Sequence, residues 1–317
     1  MASRAARLAR PPAPSAWAAF PRPAPFWYNG CMKIGLSTSC VKVPSAALVD
    51  DAARAGIDCF EISLPGRDYA SFDYAAFAAC AHDAGVDIRS FHLPFYTDET
   101  VDPASLDPAI RRRTAELQKR YIGVAASMGA SLAIVHAGQE PVEDAERAEC
   151  LARSKESMAA LAEAAASEGL VLCVEDLPRS CLGNTAEELA EIVSVDPRIR
   201  VCFDVNHLMK GSHAQFLSVI GPKVAATHIS DYDFINERHW LPGEGKIDWR
   251  GLIDGLEAVG YEGAFNYEIP FAADPKTVAR TRDLVCADVV RNAREIFSRS
   301  ELTVIGGGGL PDLPLWP

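Results

Sequence analysis

Residues 170–207 read LVLCVEDLPRSCLGNTAEELAEIVSVDPRIRVCFDVNH. The stretch opens on an apolar run, Leu170–Val174, that stops at Glu175-Asp176. A run without polar alternation fits a strand buried on both faces of a parallel sheet. A turn with Pro178 and Gly183 follows. Thr185-Ala-Glu-Glu188 then has capping-box spacing, with Thr185 as N-cap and Glu188 at N3, and predicts a helix. A second apolar run, Val201–Val205, leads into Asp204-Val-Asn-His207. Strand, loop, helix and strand make one βα unit.

The same texture extends outward to Met32 and to about Ser300. Short apolar stretches recur at Lys33–Ser37, Cys59–Ser63, Ile88–His92, Leu132–His136, Leu170–Glu175, Val201–Val205, Val224–Ile229 and Ala264–Glu268. Between them, segments such as Arg112–Met128, Leu151–Glu168 and Asp283–Ser298 have helical periodicity. Asp248 is placed to cap another helix at Trp249. Eight strand–helix repeats predict an α/β protein with a single (β/α)8 TIM barrel over residues 32–300. An open doubly wound sheet would more often carry a Gly-rich phosphate loop after its first strand, and Gly35-Leu-Ser-Thr-Ser39 is not one.

The 31 Lys and Arg against 43 Asp and Glu give a net charge of −12, which disfavours nucleic acid as a partner. The nine cysteines include no C-x-x-C pair, and Cys59, Cys173 and Cys202 lie in apolar runs as small hydrophobes. That usage predicts a reducing, cytoplasmic setting rather than a disulfide framework. No apolar run is long enough to cross a bilayer, so no membrane partner is expected. Residues 1–31 carry Arg4, Arg7 and Arg10 among alanines and prolines with no apolar h-region. They read as a disordered extension, or as text upstream of a start at Met32. Residues 301–317, with Gly306–Gly309, read as a flexible tail.

What ends each strand is the most informative regularity. Glu61 closes the second, His92 the third, His136 the fourth and Glu175-Asp176 the fifth. Asp204-Val-Asn-His207 closes the sixth, His228 the seventh and Glu268 the eighth. In a barrel these ends share one rim, where active sites sit. Singly, each has a bland explanation: a strand-end histidine is more often structural than a ligand, and a glutamate there often just opens a loop. Together, so many ionisable groups on one rim are costly in desolvation and repulsion unless a cation joins them. Glu175, Asp204, His228 and Glu268 form an oxygen-rich set that suits Mn²⁺, Mg²⁺ or Co²⁺. With His92 and His136 as further ligands the nitrogen share rises, and Zn²⁺ fits, with more than one ion.

Several segments, taken in order, resemble the xylose isomerase-like barrel superfamily. They are Gly56-Ile-Asp-Cys-Phe-Glu-Ile62, Val174-Glu-Asp-Leu-Pro178 with Gly183-Asn-Thr-Ala-Glu187, and Phe203-Asp-Val-Asn-His207. His228-Ile-Ser-Asp231, His239-Trp-Leu-Pro-Gly-Glu-Gly245 with Ile247-Asp-Trp249, and Tyr267-Glu-Ile269 follow. The resemblance is to the sugar phosphate isomerase/epimerase group, whose relatives include ketose 3-epimerases and endonuclease IV. It implies a metal-dependent isomerase or epimerase acting on a sugar or sugar phosphate, with Mn²⁺ the first candidate. It places Glu175, Asp204, His228 and Glu268 on the metal and makes Glu175 and Glu268 the two acid/base groups. A metal on a carbonyl and its neighbouring hydroxyl acidifies the C–H between them and stabilises an enediolate, while the glutamates remove and return the proton. His207 is expected on a substrate oxygen, Arg238 or His239 on another hydroxyl or a phosphate, and His92 and His136 beside them. A homodimer is common in this group.

The resemblance carries a rival. His92, His136, Glu175, Asp204, His207, His228, His239 and Glu268 also match the three-zinc site of endonuclease IV, with Glu237 where that family has Asp. The acidic charge and the lack of an Arg/Lys-rich aromatic loop argue against damaged DNA as substrate. Inosose dehydration and hydroxypyruvate isomerisation share the pattern. Elsewhere, Glu61 reads as a pocket group or a loop anchor, and Trp240 as a pocket wall or loop filler. His82 and His213 read as surface residues, Arg111-Arg-Arg113 as a solvated helix face, and Cys40 as a thiol near the rim with no partner histidine.

Overall fold

Alternation along short strands decides what this barrel holds and where. The computed structural model describes residues 32–97, 100–273 and 280–306. The expected extension 1–31 and most of the expected tail, 307–317, lie outside the described residues. The strands are β1 (Ile34–Ser37), β2 (Cys59–Ile62), β3 (Asp87–His92), β4 (Leu132–His136), β5 (Val171–Glu175), β6 (Arg200–Asp204), β7 (Val224–His228) and β8 (Phe265–Tyr267). Each boundary lies within one residue of the apolar stretch that announces it. The strands pair in parallel in sequence order, and β1 also pairs with β8. Between β7 and β8 the ring closes through Ile229 N donating to Asn266 O (2.8 Å) and Glu268 N donating to Ile229 O (3.1 Å). The chain is a (β/α)8 barrel.

Among the described residues eight α-helices surround it: α1 (Ala46–Ala55), α2 (Tyr74–Asp83), α3 (Pro108–Ser127), α4 (Arg147–Ser167), α5 (Ala186–Val193), α6 (His213–Ile220), α7 (Trp249–Ala258) and α8 (Cys286–Phe297). Caps, rather than apolar periodicity, set several starts. Asp107 accepts from Ala109 N (2.7 Å) and Pro108 opens α3, four residues before the periodic pattern begins. Asp248 caps α7 as expected, accepting from Gly251 N (3.1 Å). Thr185 caps α5 through Glu188 N (3.2 Å), but the reciprocal half of the box is absent. The Glu188 carboxylate instead accepts from Gly183 N (2.7 Å) and Arg147 (2.7 and 2.8 Å), tying α5 to α4 and to the loop after β5.

Successive strand side chains face opposite ways, so every second residue enters the barrel. The helix-facing parity packs against the helices, as in the stacked rings of Phe203 and Phe216 (4.3 Å). The inner parity starts small or apolar, with Leu132, Ile134, Cys173, Cys202 and Ala226 forming a separate inner core. Gly35 on β1 leaves room for Asn266: a Cβ there would lie 2.7 Å from its Oδ1. Two residues further along the same parity come Glu61, His92, His136, Glu175, Asp204, His228 and Glu268. The polar rim is thus the last step of an otherwise small-residue interior.

The described cysteines are free thiols. Among the described residues, no helix is long and apolar enough to cross a membrane. His82 is exposed as expected. His213 is not a surface residue: it opens α6, half-buried, with Nε2 2.7 Å from Val205 O, because the loop after β6 folds back over it.

Candidate metal centre

Four strands supply the centre. Glu175 ends β5, Asp204 ends β6, His228 ends β7 and Glu268 follows β8; one donor atom from each lies within 4.8 Å of the others. His228 Nδ1 is 3.1 Å from Glu175 Oε1, 3.2 Å from Glu268 Oε2 and 3.8 Å from Asp204 Oδ2. Glu175, Asp204 and His228 are fully buried, while Glu268 keeps its edge toward solvent. Asp204 is held from behind: its N–H donates to Asp176 Oδ1 (2.7 Å), and its Oδ1 accepts from Asn206 N (2.8 Å). Its Oδ2 is buried without a hydrogen-bond partner. An orphaned carboxylate oxygen among two further carboxylates and an imidazole is the environment a divalent cation satisfies.

Two more groups flank this one. His92, His136 and Glu175 form the first, and Asp204, His207 and His239 the second. Glu175 Oε2 lies 3.1 Å from His92 Nε2 and 3.3 Å from His136 Nε2. Three of the flanking imidazoles are oriented alike. Nδ1 of His92, His207 and His239 lies 3.0, 2.8 and 3.1 Å from the carbonyls of Leu93, Asp176 and Glu268. A donor at Nδ1 leaves Nε2 facing the carboxylates. Glu237, on the loop after β7, takes His239 Nε2 at 3.1 Å and approaches His207 Nε2 at 3.7 Å.

The matching family model, the xylose isomerase-like TIM barrel, spans residues 49–284. The chain belongs to this family. It is 27% identical over 248 residues to an uncharacterized protein of Methanocaldococcus jannaschii, covering 75% of this chain and 83% of that one. It is 26% identical over 272 residues to the fructoselysine 3-epimerase of Shigella flexneri, covering 78% and 95%. It is 26% identical over 241 residues to the D-psicose 3-epimerase of Ruminiclostridium cellulolyticum, covering 73% and 79%. Among solved structures, a D-tagatose 3-epimerase-like protein superposes with a TM-score of 0.70 at 22% identity, covering 84% and 96% of the two chains.

Within this xylose isomerase-like barrel the other expected residues sort themselves. Arg238 is turned from the cluster: its Nε and Nη2 each lie 2.9 Å from Asp233 Oδ2, and its guanidinium lies over the Trp240 ring (5.6 Å). Trp240 is buried and fills the loop core. Phe95 stacks on His136 (4.4 Å) and walls that side of the pocket. Glu61 reaches inward to His228 rather than anchoring a loop.

Sequence reasoning missed Arg179. Its guanidinium takes Glu140 (2.7 Å) on one side and Glu237 (2.7 Å) with Asn236 (3.2 Å) on the other, joining the loops after β4, β5 and β7. It does so from a left-handed backbone (φ 52°), a conformation that costs a non-glycine residue of order 1 kcal/mol. One arginine in a loop carries no signal of such a role.

The electrostatics follow from burial against mutual pairing. Burial pushes the Asp204 carboxyl up to about 6, against the pull of His207 and His239. Burial also raises Glu268, but His228 beside it more than reverses this, to about 2. For His228 burial disfavours charge; the neighbouring Cys202 sulfur, then Glu268, Glu61 and Glu175, overcome it and hold the imidazole well above its usual range. A cation bound here would have to displace protons from His228 and, below about pH 6, from Asp204. Divalent-metal affinity is expected to rise with pH from 5.5 to 8.5, measured by titration calorimetry in buffers of different ionisation enthalpy. A flat profile with no proton release would contradict this charge state.

Proposed function

We propose that this protein is a metal-dependent ketose epimerase, inverting the carbon next to the ketone of a sugar through an enediolate. The carrying observation is that Glu175, from β5, and Glu268, from beyond β8, both reach the same imidazole nitrogen, at 3.1 and 3.2 Å. Two carboxylates flanking one ligand cluster are what removal and return of a proton on opposite faces requires. The 3-epimerase names of two relatives support the same chemistry.

In this reading Glu175, Asp204, His228 and Glu268 hold the metal; three carboxylates and one imidazole suit Mn²⁺, Mg²⁺ or Co²⁺, with Mn²⁺ the first to test. The bound cation supplies Lewis-acid polarisation of the substrate carbonyl and its neighbouring hydroxyl. Glu175 and Glu268 act as the base and acid. His207, His239, His92 and His136 line the substrate side of the site beside these carboxylates, and Phe95 excludes water beside His136. Arg238 is committed to Asp233, and Arg179 to Glu140 and Glu237, which favours an uncharged sugar over a sugar phosphate. Free, mostly buried thiols suit a cytoplasmic enzyme.

A second reading has its own support, because the two flanking groups share Glu175 and Asp204 with the central one. Three adjoining sites would suit a trinuclear zinc phosphodiesterase. Metal analysis separates the two. One Mn²⁺ or Mg²⁺ per chain, with deuterium washing from D₂O into the carbon beside the ketone of a sugar in a broad panel, is the expected result. Three zinc ions per chain with cleavage of abasic DNA would replace the epimerase reading.

A further inference from the structure

His228 differs from the other imidazoles of the rim in which nitrogen it offers. Its Nδ1 faces Glu175, Glu268 and Asp204, so the nitrogen needing a partner is Nε2. Where His92, His207 and His239 rest the non-facing nitrogen on a backbone carbonyl, His228 has a carboxylate beside it. Glu61 Oε1 lies 2.9 Å from His228 Nε2. The two atoms are off the axis of an ideal hydrogen bond, yet both are buried and neither meets the geometry of a hydrogen bond elsewhere. The Cys202 thiol also neighbours His228, but burial keeps it protonated, so Glu61 is the charged group available to satisfy Nε2.

The barrel is built to place this carboxylate. Along β2 and β3 the register slips by one residue, from Phe60 opposite Ile88 to Glu61 opposite Ser90, so Arg89 is extra. Such a bulge re-aims a side chain. Ser90 Oγ then donates to Glu61 Oε2 (2.8 Å), which fixes the carboxylate plane. Below it, the space lined by Cys59, Ser90, Ala226 and Asn266 amounts to about 10 Å³, no more than the room for one water. Among the described residues, Glu61 belongs to none of the three candidate donor groups. Among the described residues, the charged partner within ion-pair distance of it is His228.

We propose that Glu61 is a positioning residue for the metal centre: it holds His228 as the Nε2–H tautomer with Nδ1 presented to the cation. This rests on the proposed metal-dependent reading of the site. A carboxylate behind a ligating imidazole fixes its tautomer and orientation and raises its basicity, and loss of such a partner costs about 10- to 100-fold in metal affinity.

The test is Mn²⁺ titration of the chelator-treated full chain, which reads affinity without turnover. Glu61→Gln keeps the length and a neutral acceptor, whereas Glu61→Leu removes both charge and acceptor. The expected dissociation constants for Mn²⁺ rise about 10-fold in Glu61→Gln and toward 100-fold in Glu61→Leu. The visible bands of the Co²⁺-loaded variants should shift as the imidazole field weakens, with the metal-free melting temperature retained in Glu61→Gln. A residue that merely filled space would lower the melting temperature and leave the Co²⁺ bands in place. Unchanged Mn²⁺ affinity and Co²⁺ bands, with the wild type binding Mn²⁺ normally, would overturn the role of Glu61 and leave the proposed function standing. A wild type that binds no divalent ion would remove the metal centre itself, and the inference with it. If Glu61→Leu does not fold, Glu61→Gln carries the test.

Discussion

Exchange of solvent deuterium into the carbon beside the ketone is expected to fall at least about 1000-fold in Glu175→Gln, and by a similar factor in Glu268→Gln. General acid–base catalysis alone contributes about 10²- to 10⁴-fold, and each substitution also removes a negative charge from the metal cluster. Glutamine keeps the shape and one oxygen donor, so the loss reports the missing base rather than a collapsed site. The two variants should differ in metal binding. Glu175 belongs to two of the three donor groups and holds His92, His136 and His228, so Glu175→Gln should weaken the cation more. Glu268 is partly open to solvent and belongs to one group. Exchange measured by NMR at saturating Mn²⁺ checks both, and near-wild-type exchange in either variant removes that residue from the proton transfer.

The largest effect on stability is expected from Asp231→Ala. Asp231 is fully buried just beyond β7, and its carboxylate closes the loop carrying Glu237, Arg238 and His239. Oδ1 accepts from Tyr232 N (2.9 Å) and Ile247 N (3.1 Å); Oδ2 accepts from Gly243 N (2.8 Å) and Trp249 Nε1 (3.0 Å). Alanine would strand four donors, each costing about 1–3 kcal/mol when left unpaired. Because the loop relaxes, the sum is smaller, about 3–5 kcal/mol. That corresponds to a melting temperature lower by roughly 5–15 °C. Asp231→Asn should cost about half as much, since an amide keeps one oxygen acceptor. Thermal unfolding of the two variants measures this, and an Asp231→Ala protein as stable as the wild type would refute the anchoring role. The same packing explains Gly245: a Cβ there would lie 2.2 Å from Asp231 Oδ1.

Asp231 illustrates how far the sequence reaches. The His228-Ile-Ser-Asp231 and Pro242-Gly-Glu-Gly245 segments are recognisable as text, but nothing local says that a carboxylate in one fills the space a side chain would need in the other. The same holds for Glu188. Its spacing from Thr185 implies a capping box, while Arg147, 41 residues earlier in the chain, takes its carboxylate instead. Arg238 has the charge to bind a substrate anion, but Asp233 on the same loop takes its guanidinium.

The sequence by itself determined the eight-fold alternation, the strand positions and the identities of the rim groups. Those depend on local periodicity: an apolar run buried on both faces, a polar break, and the two-residue repeat that carries inward-facing positions up to the rim. Only the tertiary structure decided how the rim groups share their partners. It brought Glu175 and Glu268 to one nitrogen of His228, set Glu61 behind the other, and joined three loops through Arg179. Those choices turn on distances between residues up to 167 positions apart in the chain, as for Glu61 and His228, on which tautomer a neighbouring carbonyl fixes, and on one-residue register shifts such as that at Arg89. None of these leaves a local trace in the order of amino acids.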